Sequence, residues 1–506
     1  MRDARDLTKR SCRKVFIGPS LNRRIGSGIQ IMTSAHYVRR SAILMLVVGG
    51  MLACCPAGLA QSQYGLAEDE IALAGQPEPL ALVQDKPQTP ATPATSEKAE
   101  EKSEAEPLAF DMFSPTSKRM TGEWGGVRPW MDSHGIDFQM VYAPVWQQNF
   151  SGGLDTHNAD DFNGDFRMNL NVDLDKLGVI PGGFFFVRGK MSYNDSVQNK
   201  VGSLGSTSWA IAAGDHEIFL DKWWYGQKFF KDMIEIRVGK LLTPIDLFDT
   251  NAYAMNCWDQ FLNQYMDTNS TIPHRKAPGF YLKVKPTDWI NFSTAMLNAN
   301  QTDSTEPYDV RTTYHDNARW IGFWELGLAP AIQGPNGKLP GNYRFGFWYD
   351  PRVTNIFMDT LGGALSQRHR GDDVGFYTSM DQLVWKENND AKDKQGLGAF
   401  FRYGWNKRDI NRISDYWQVG AQYQGAIPTR NNDVVAFGVG QSILSSQYRH
   451  EINHFADRET VYELYYSIQV TPWIFITPDI QFITEPGGLK NARDSLVGSL
   501  RVKINL

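Results

Sequence analysis

TPWIFITPDIQFITEPGG, residues 471–488, is the stretch whose reading decides the fold. From Ile474 the apolar residues Ile474, Ile476, Ile480 and Phe482 fall on alternate positions with Pro478 among them, while Thr477, Asp479 and Gln481 fall between. A repeat of two sends successive side chains to opposite faces, so the stretch is a strand with one apolar and one polar face. What the apolar face touches, a protein core or lipid, separates a soluble protein from a membrane one.

The same alternation recurs on both sides of this stretch. It is plain in FRMNLNVDL (166–174), IEIRV (234–238) and YELYYSIQV (462–470), and again over 184–194, 279–285, 289–298, 343–350, 374–385, 397–406, 415–427, 433–443 and 495–506. Clusters of Gly, Asn, Asp and Pro separate the segments, and no sustained 3.6-residue periodicity follows Phe110, which predicts an all-β domain. Trp and Tyr recur near segment ends (Trp289, Trp320, Tyr343, Trp385, Trp405, Trp417, Trp473), and short connectors alternate with long ones. Both are marks of a transmembrane barrel, although aromatic residues also pack the core of a soluble sandwich. Thr471-Pro472 is a tight turn, TEPGGLKNARD a longer connector and SLVGSLRVKINL the last strand. Short turns on the periplasmic side would put Thr471-Pro472 there and the EPGG loop outside. Residues 111–506, at roughly 25 residues per strand with its connectors, give on the order of 16 strands. Pro478 lacks an N–H and a closed barrel has no free edge, so a bulge or a local gap in the ladder is predicted there.

The totals, 506 residues with a net charge of −5 and a mean hydropathy of −0.40, look ordinarily globular. The long apolar run SAILMLVVGGMLACCPAGLA (41–60) follows Arg39 and Arg40 and ends in small residues. That is the layout of a secretory signal peptide cleaved after Ala60, with translation starting at Met1 or at Met32. An uncleaved anchor and a lipidated Cys54 are the alternatives. Residues 1–60 carry ten Lys/Arg and two Asp/Glu, so the chain without them has a charge of −13, which argues against nucleic acid as a partner. Cys12, Cys54 and Cys55 lie in the same segment, which leaves Cys257 alone and excludes a disulfide scaffold or a cysteine zinc site. Residues 61–110, which include QPEPLALVQDKPQTPATPATSEKAEEKSEAEPLAF, hold too little apolar area to fold and read as a disordered linker or a periplasmic tether. The layout is therefore an N-terminal extension with signal peptide (1–60), a linker (61–110) and a barrel domain (111–506).

Several motifs in the barrel region resemble the carbohydrate-selective porins of Gram-negative outer membranes, the OprB family. They are MTGEWGGVRPWMDSHGIDF (120–138), SGGL (151–154), NVDLDKLGVIPGGFFF (171–186), IRVGKLLTPIDLFDTN (236–251) and YELYYSIQVTPWIFITPDIQFITEPGG (462–488). The resemblance implies a 16-stranded antiparallel transmembrane β-barrel through which sugars diffuse passively into the periplasm. It also implies small sugars, outer-membrane lipid and lipopolysaccharide, and the barrel-assembly machinery as partners, with a monomer or a trimer equally compatible. One departure is the terminal Leu506, where such barrels usually end in an aromatic residue.

Sugars present hydroxyls that donate and accept together with apolar C–H faces, so a selective pore wants carboxylates, guanidinium groups and aromatic rings. The off-face positions supply Arg167, Asp173, Arg188, Lys190, Glu235, Arg237, Arg344, Arg402, Glu463, Asp479, Arg501 and Lys503. Arg188, Lys190, Glu217, Glu235, Arg237, Asp246, Arg402 and Glu463 are the candidate pore-lining, sugar-binding residues. Each of them could instead only solvate the channel wall. Trp223 and Trp224 offer a stacking platform or an interface anchor, and Asp246 and Asp249 sit in a stretch that either folds inward to narrow the pore or caps a turn. No nucleophile elbow, P-loop or HExxH occurs in the barrel region, the nine His are scattered, and DTHNADDFNGD (155–165) lacks calcium-loop spacing. Neither an enzyme nor a metal nor a cofactor is expected. A barrel enzyme and a soluble β-rich carbohydrate-binding protein are the competing readings.

Overall fold

The structure, a computed structural model, describes residues 112–193, 196–208, 218–299, 319–352, 354–355, 369–390, 393–451 and 455–506. The signal peptide, the linker and Glu217 lie outside the described residues. The first strands are β1 (Ile136–Ser151), β2 (Asp160–Asp173), β3 (Gly183–Tyr193), β4 (Phe219–Phe229), β5 (Ile234–Thr243), β6 (Arg275–Thr287), β7 (Ile290–Asn298) and β8 (Trp320–Leu328), of which β2, β3, β5, β6 and β7 coincide with alternating segments while β1, β4 and β8 lie outside them. A four-residue strand β9 (Ala331–Gly334) forms a hairpin with the start of β10 (Gly337–Asp350), and β11 (Thr354–Asn355) with β12 (His369–Arg370) makes a small ribbon in the next connector. Then come β13 (Asp373–Lys386), β14 (Gly396–Asn406), β15 (Ile413–Gln424), β16 (Val434–Leu444), β17 (Arg458–Thr471), β18 (Ile474–Thr484) and β19 (Ser495–Asn505).

Without β9, β11 and β12 there remain 16 long strands, each antiparallel to its sequence neighbours. β8 pairs with β10, β10 with β13, and β1 with β19, so the sheet closes on itself. The connectors 230–233, 288–289 and 472–473 are short and lie at the end that holds the chain terminus, while the strand ends at the other end are joined by the long stretches 194–218, 244–274, 299–319 and 351–372. That asymmetry is the periplasmic and external arrangement of an outer-membrane barrel.

The faces answer the lipid question. On β18, Pro478, Ile480 and Phe482 are exposed while Thr477, Asp479 and Gln481 are buried. The same holds around the barrel, where Phe280, Phe292, Met296, Phe345, Phe376, Phe401, Val419, Phe437, Leu464 and Leu500 point outward. A soluble protein does not surround itself with such a band, whereas a closed barrel in lipid gains from it and satisfies every backbone group in its own ladder. Trp324, Phe347, Phe376 and Trp405 form an aromatic row on adjacent strands, with successive ring centroids 4.6, 6.1 and 6.0 Å apart, as a membrane girdle requires.

At Pro478 the ladder is broken on one side only. Pairing with β19 runs unbroken through Pro478 and Leu500, but on the β17 side it passes from Tyr465–Asp479 to Ile468–Ile476 and skips the proline, with no bulge. The Thr477 hydroxyl donates to Ser467 at 3.2 Å across the gap. A true bulge occurs elsewhere. The register shifts between Arg188 and Gly189 on β3, opposite Lys222 and Leu220 on β4, and Asp221 and Lys222 are both buried there.

At the periplasmic end the short helix Val127–Ser133 packs against β1. Its Arg128 donates to the Leu506 carbonyl at 3.1 Å, and the Met120 N–H donates to the Asn505 carbonyl at 2.8 Å. The first described residues thus tie down the last.

Candidate functional site

The site is built where the connector 244–274 enters the barrel. β5 stops at Thr243 because Pro244 has no N–H to offer a ladder, and the chain turns into the lumen. The connector carries its own apolar residues, and Ile245, Phe248, Met255, Cys257, Phe261 and Met266 are all fully buried. Phe248 packs with inward Tyr281 and Phe323, Phe261 and Met266 with Phe400 and Tyr465, Cys257 with Ala143 and Val145, and Ile245 and Met255 with Leu242. Asn263 caps a single helical turn by accepting from the Tyr265 N–H at 2.9 Å.

Inward side chains of the later strands hold this connector by its backbone. The Glu463 carboxylate accepts from the N–H groups of Leu262 and Asn263. Arg402 donates to the Asp267 carbonyl at 2.8 Å, Arg501 to the Cys257 carbonyl, and Gln418 to the Met266 carbonyl at 2.6 Å. Lys503 pairs with Asp259 at 2.7 Å, and the Arg167 guanidinium lies 3.8 Å over the ring of Trp258. A second segment, within 196–208, is fixed the same way. Thr207 accepts from Gln147 and Gln481, each at 2.9 Å, and Glu459 accepts from Ser203 and from the N–H of Leu204.

The predicted residues fall into three groups. Arg402 and Glu463 are struts behind the connector, fully buried. Arg188, Lys190 and Asp246 lie together in a buried charged cluster. Arg188 donates to Asn169 at 2.7 Å, Lys190 pairs with Asp165 at 2.9 Å, and Asp246 pairs with Lys222 at 2.5 Å. Glu235 and Arg237, two apart on one face of β5, pair at 2.5 Å and keep 16% and 21% of their side chains open to the lumen. The Arg237 guanidinium lies 4.5 Å over the Trp224 ring and 5.5 Å from that of Tyr281. Trp224 stacks on Phe186 at 5.2 Å inside the barrel, while Trp223 belongs to the opposite face of β4.

Further along the wall, on β10, Arg344 reaches Asp381 at 3.3 Å and Glu325 at 3.9 Å, with 18% of its side chain exposed. Glu325 accepts from the Asp249 N–H at 2.7 Å and from the Tyr377 hydroxyl at 3.0 Å. Asp249 itself is fully buried, has φ of 53° and faces Arg402 at 3.8 Å, with no hydrogen bond to either carboxylate oxygen among the described residues. Burial pushes its carboxyl up to about 7, against the pull of Arg402. Asp246 and Asp249 therefore lie on a segment inside the barrel.

Glu325, Tyr281, Lys283, Asp381 and Lys222 belong to these networks and are absent from the sequence-predicted set. Glu325, Tyr281, Lys283 and Asp381 sit on inward positions of strands that alternation could have revealed. Lys222 pairs with Arg188 and is in phase with inward Trp224 on β4, a strand outside the alternating segments, and the bulge there leaves Asp221 as the extra, buried residue beside it.

The wall carries carboxylates, guanidinium groups and rings, and the sequence signature of the carbohydrate-selective porin, OprB family, matches residues 157–506. The chain belongs to this family. It is 24% identical over 431 residues to Porin B of Pseudomonas aeruginosa, a match covering 78% of this chain and 93% of that protein. Its fold is similar to a high-pH structure of Pseudomonas putida OprB, with a TM-score of 0.67 at 21% identity over 78% of this chain and all of that one. As a carbohydrate-selective porin it is an outer-membrane channel through which sugars diffuse passively, and it is not an enzyme. Among the described residues no cluster of three or more His, Cys, Asp or Glu could hold a metal ion.

Proposed function

We propose that this porin admits glucose-like monosaccharides and similar small sugars along the open arc formed by Glu235, Arg237, Trp224, Tyr281, Lys283 and Arg344. The observation that carries the reading is the Arg237 guanidinium, held over the Trp224 ring and paired with Glu235 while still open to the lumen. A sugar can offer that wall paired hydroxyls for the guanidinium and carboxylate and a C–H face for the ring. Both signs of charge stand in the arc, which suits a neutral solute better than an ion. Arg188, Lys190 and Asp246 form the wall beside the connector and shape the pore, and Arg402 and Glu463 act on sugar through the connector they hold. The apolar band meets phospholipid and lipopolysaccharide, and the alternating last strand, β19, is what the barrel-assembly machinery reads. A single barrel suffices for the pathway, whether barrels stand alone or in threes. Liposome swelling with glucose, a disaccharide and a neutral non-sugar of glucose size tests the reading. Glucose should enter fastest, and equal rates for glucose and the non-sugar would remove sugar preference.

A further inference from the structure

On β4 to β8 the inward residues Lys228, Glu235, Lys283, Ser293 and Glu325 are register partners and form one row across the wall of the open arc. Arg237 lies one inward position nearer the outside on β5. Arg344 lies one nearer the periplasm on β10, where Gly346 is the partner of Glu325. Two residues along a strand span roughly 7 Å, so three cations stand at three successive levels of the path, with Lys283 in the middle.

Among the described residues every charge in this set but one has a partner at contact distance. Lys228 pairs with Asp232 at 3.3 Å, Glu235 with Arg237 at 2.5 Å, and Arg344 with Asp381 at 3.3 Å. Glu325 accepts from the Asp249 N–H at 2.7 Å and from the Tyr377 hydroxyl at 3.0 Å. Lys283 has no hydrogen bond and no ion pair among the described residues, and Glu235, Arg237, Glu325 and Arg344 act on it only at longer range. Its side chain is half-buried, and its neighbour Ser293 is already taken by the Tyr281 hydroxyl at 3.2 Å. The Lys283 ammonium therefore brings three N–H donors to the arc with no protein acceptor committed to them.

We propose that Lys283 is the specificity-determining group of the arc, donating to a hydroxyl of the passing sugar and turning away sugars that carry an ammonium of their own. The proposal rests on the sugar-channel reading and adds the class of sugar that the arc rejects. The charges of Arg237 and Arg344 are each answered by a carboxylate at contact distance, so they repel a second cation weakly. That of Lys283 is not, and a solute moving from the Arg237 level to the Arg344 level passes it. A neutral hexose offers Lys283 hydroxyl lone pairs at every ring position, whereas an amino sugar brings a like charge against it.

The test is sugar-induced current noise of the full-length protein in planar bilayers, with glucose, 2-deoxyglucose and glucosamine, the last at a pH where its amine is charged. In wild type glucosamine should bind about 5- to 10-fold more weakly than glucose, the effect of one like charge at a partly solvated contact. 2-Deoxyglucose loses the same hydroxyl without gaining charge and should stay within about 3-fold of glucose. Lys283→Met keeps the length of the side chain and removes its charge. Glucose binding should then weaken about 3- to 10-fold, and the glucose-to-glucosamine ratio should fall to about 3 or less. Lys283→Arg should keep the wild-type ratio. A ratio unchanged in Lys283→Met would overturn the role of Lys283, and so would wild-type binding of glucosamine as tight as that of glucose or of 2-deoxyglucose. Should Lys283→Met fail to assemble, Lys283→Gln replaces it with the same outcomes. A wild-type protein that passes no glucose in the swelling assay would instead defeat the channel reading, so the two failures are distinguishable.

Discussion

On β14, β17 and β19 the inward charges Arg402, Glu463 and Arg501 are no more than 1% exposed, whereas Glu235, Arg237 and Arg344 on β5 and β10 keep 16%, 21% and 18% of their side chains open. All six sit on inward positions of alternating strands, and nothing in their local sequence tells them apart. The difference is the connector 244–274, which lies against the first group and leaves the second to solvent. Strand alternation decides which charges point inward. A segment about 200 residues away in sequence from Glu463 decides which of them stay open to the lumen.

The sharpest way to break the comparison is to release the connector. Glu463→Ala leaves the buried Leu262 and Asn263 N–H groups without their acceptor, a loss on the order of 1–3 kcal/mol. That should raise the undocked population about 10- to 100-fold. Single-channel recordings should then show frequent bursts of higher conductance, and a trace like wild type would mean that the strut does not hold the connector. On the open arc the effect should be smaller and of another kind. Arg237→Ala removes one charged donor and its stacking on Trp224, so glucose permeation should fall about 5- to 10-fold with the thermal midpoint of the barrel nearly unchanged. A lowered midpoint with permeation intact would make Arg237 structural like Arg402.

A weaker effect follows from Asp249, whose carboxyl is raised from 3.8 to about 7 by burial. A raised acid favours the docked state when protonated, so docking is fullest below pH 3.8 and weakens as pH rises through about 7. Arg402, Glu325 and Arg344 face this carboxyl and set its field. Current noise from connector motion should therefore grow between those limits in wild type and be flat in Asp249→Asn. Noise that grows equally in both would place the titration elsewhere. The smallest effect is at Pro478, far from either arc. Pro478→Ala restores an N–H toward β17 but loosens the unfolded chain, and the two nearly cancel, to within about 0.5 kcal/mol. A larger change in the thermal midpoint would show that the gap beside Tyr465 and Ile468 is strained.

The barrel was legible because alternation and aromatic placement are local signals. Ile480, Phe482, Asp479 and Gln481 declare their faces within four residues, and even the ladder gap at Pro478 follows from its missing N–H, although its confinement to the β17 side does not. The site was legible only as a set of inward positions. Glu235 and Arg237 read the same as Arg402 and Glu463, because the connector that separates them is fixed by contacts such as Asn263 with Gln481, at 3.1 Å and 218 residues apart in sequence. Asp221 could not be read from alternation, since it is the extra residue of the bulge opposite Arg188 and Gly189.

The central claim, that solute runs along the Arg237 arc and not behind the connector, is tested most directly by thiol accessibility. Arg237→Cys and Arg402→Cys are each exposed to a membrane-impermeant, positively charged thiol reagent during bilayer recording, with wild type, whose Cys257 is buried, as the baseline. The account predicts a prompt fall in conductance for Arg237→Cys and none above baseline for Arg402→Cys. Equal modification of both, or modification of Arg402→Cys alone, would contradict it.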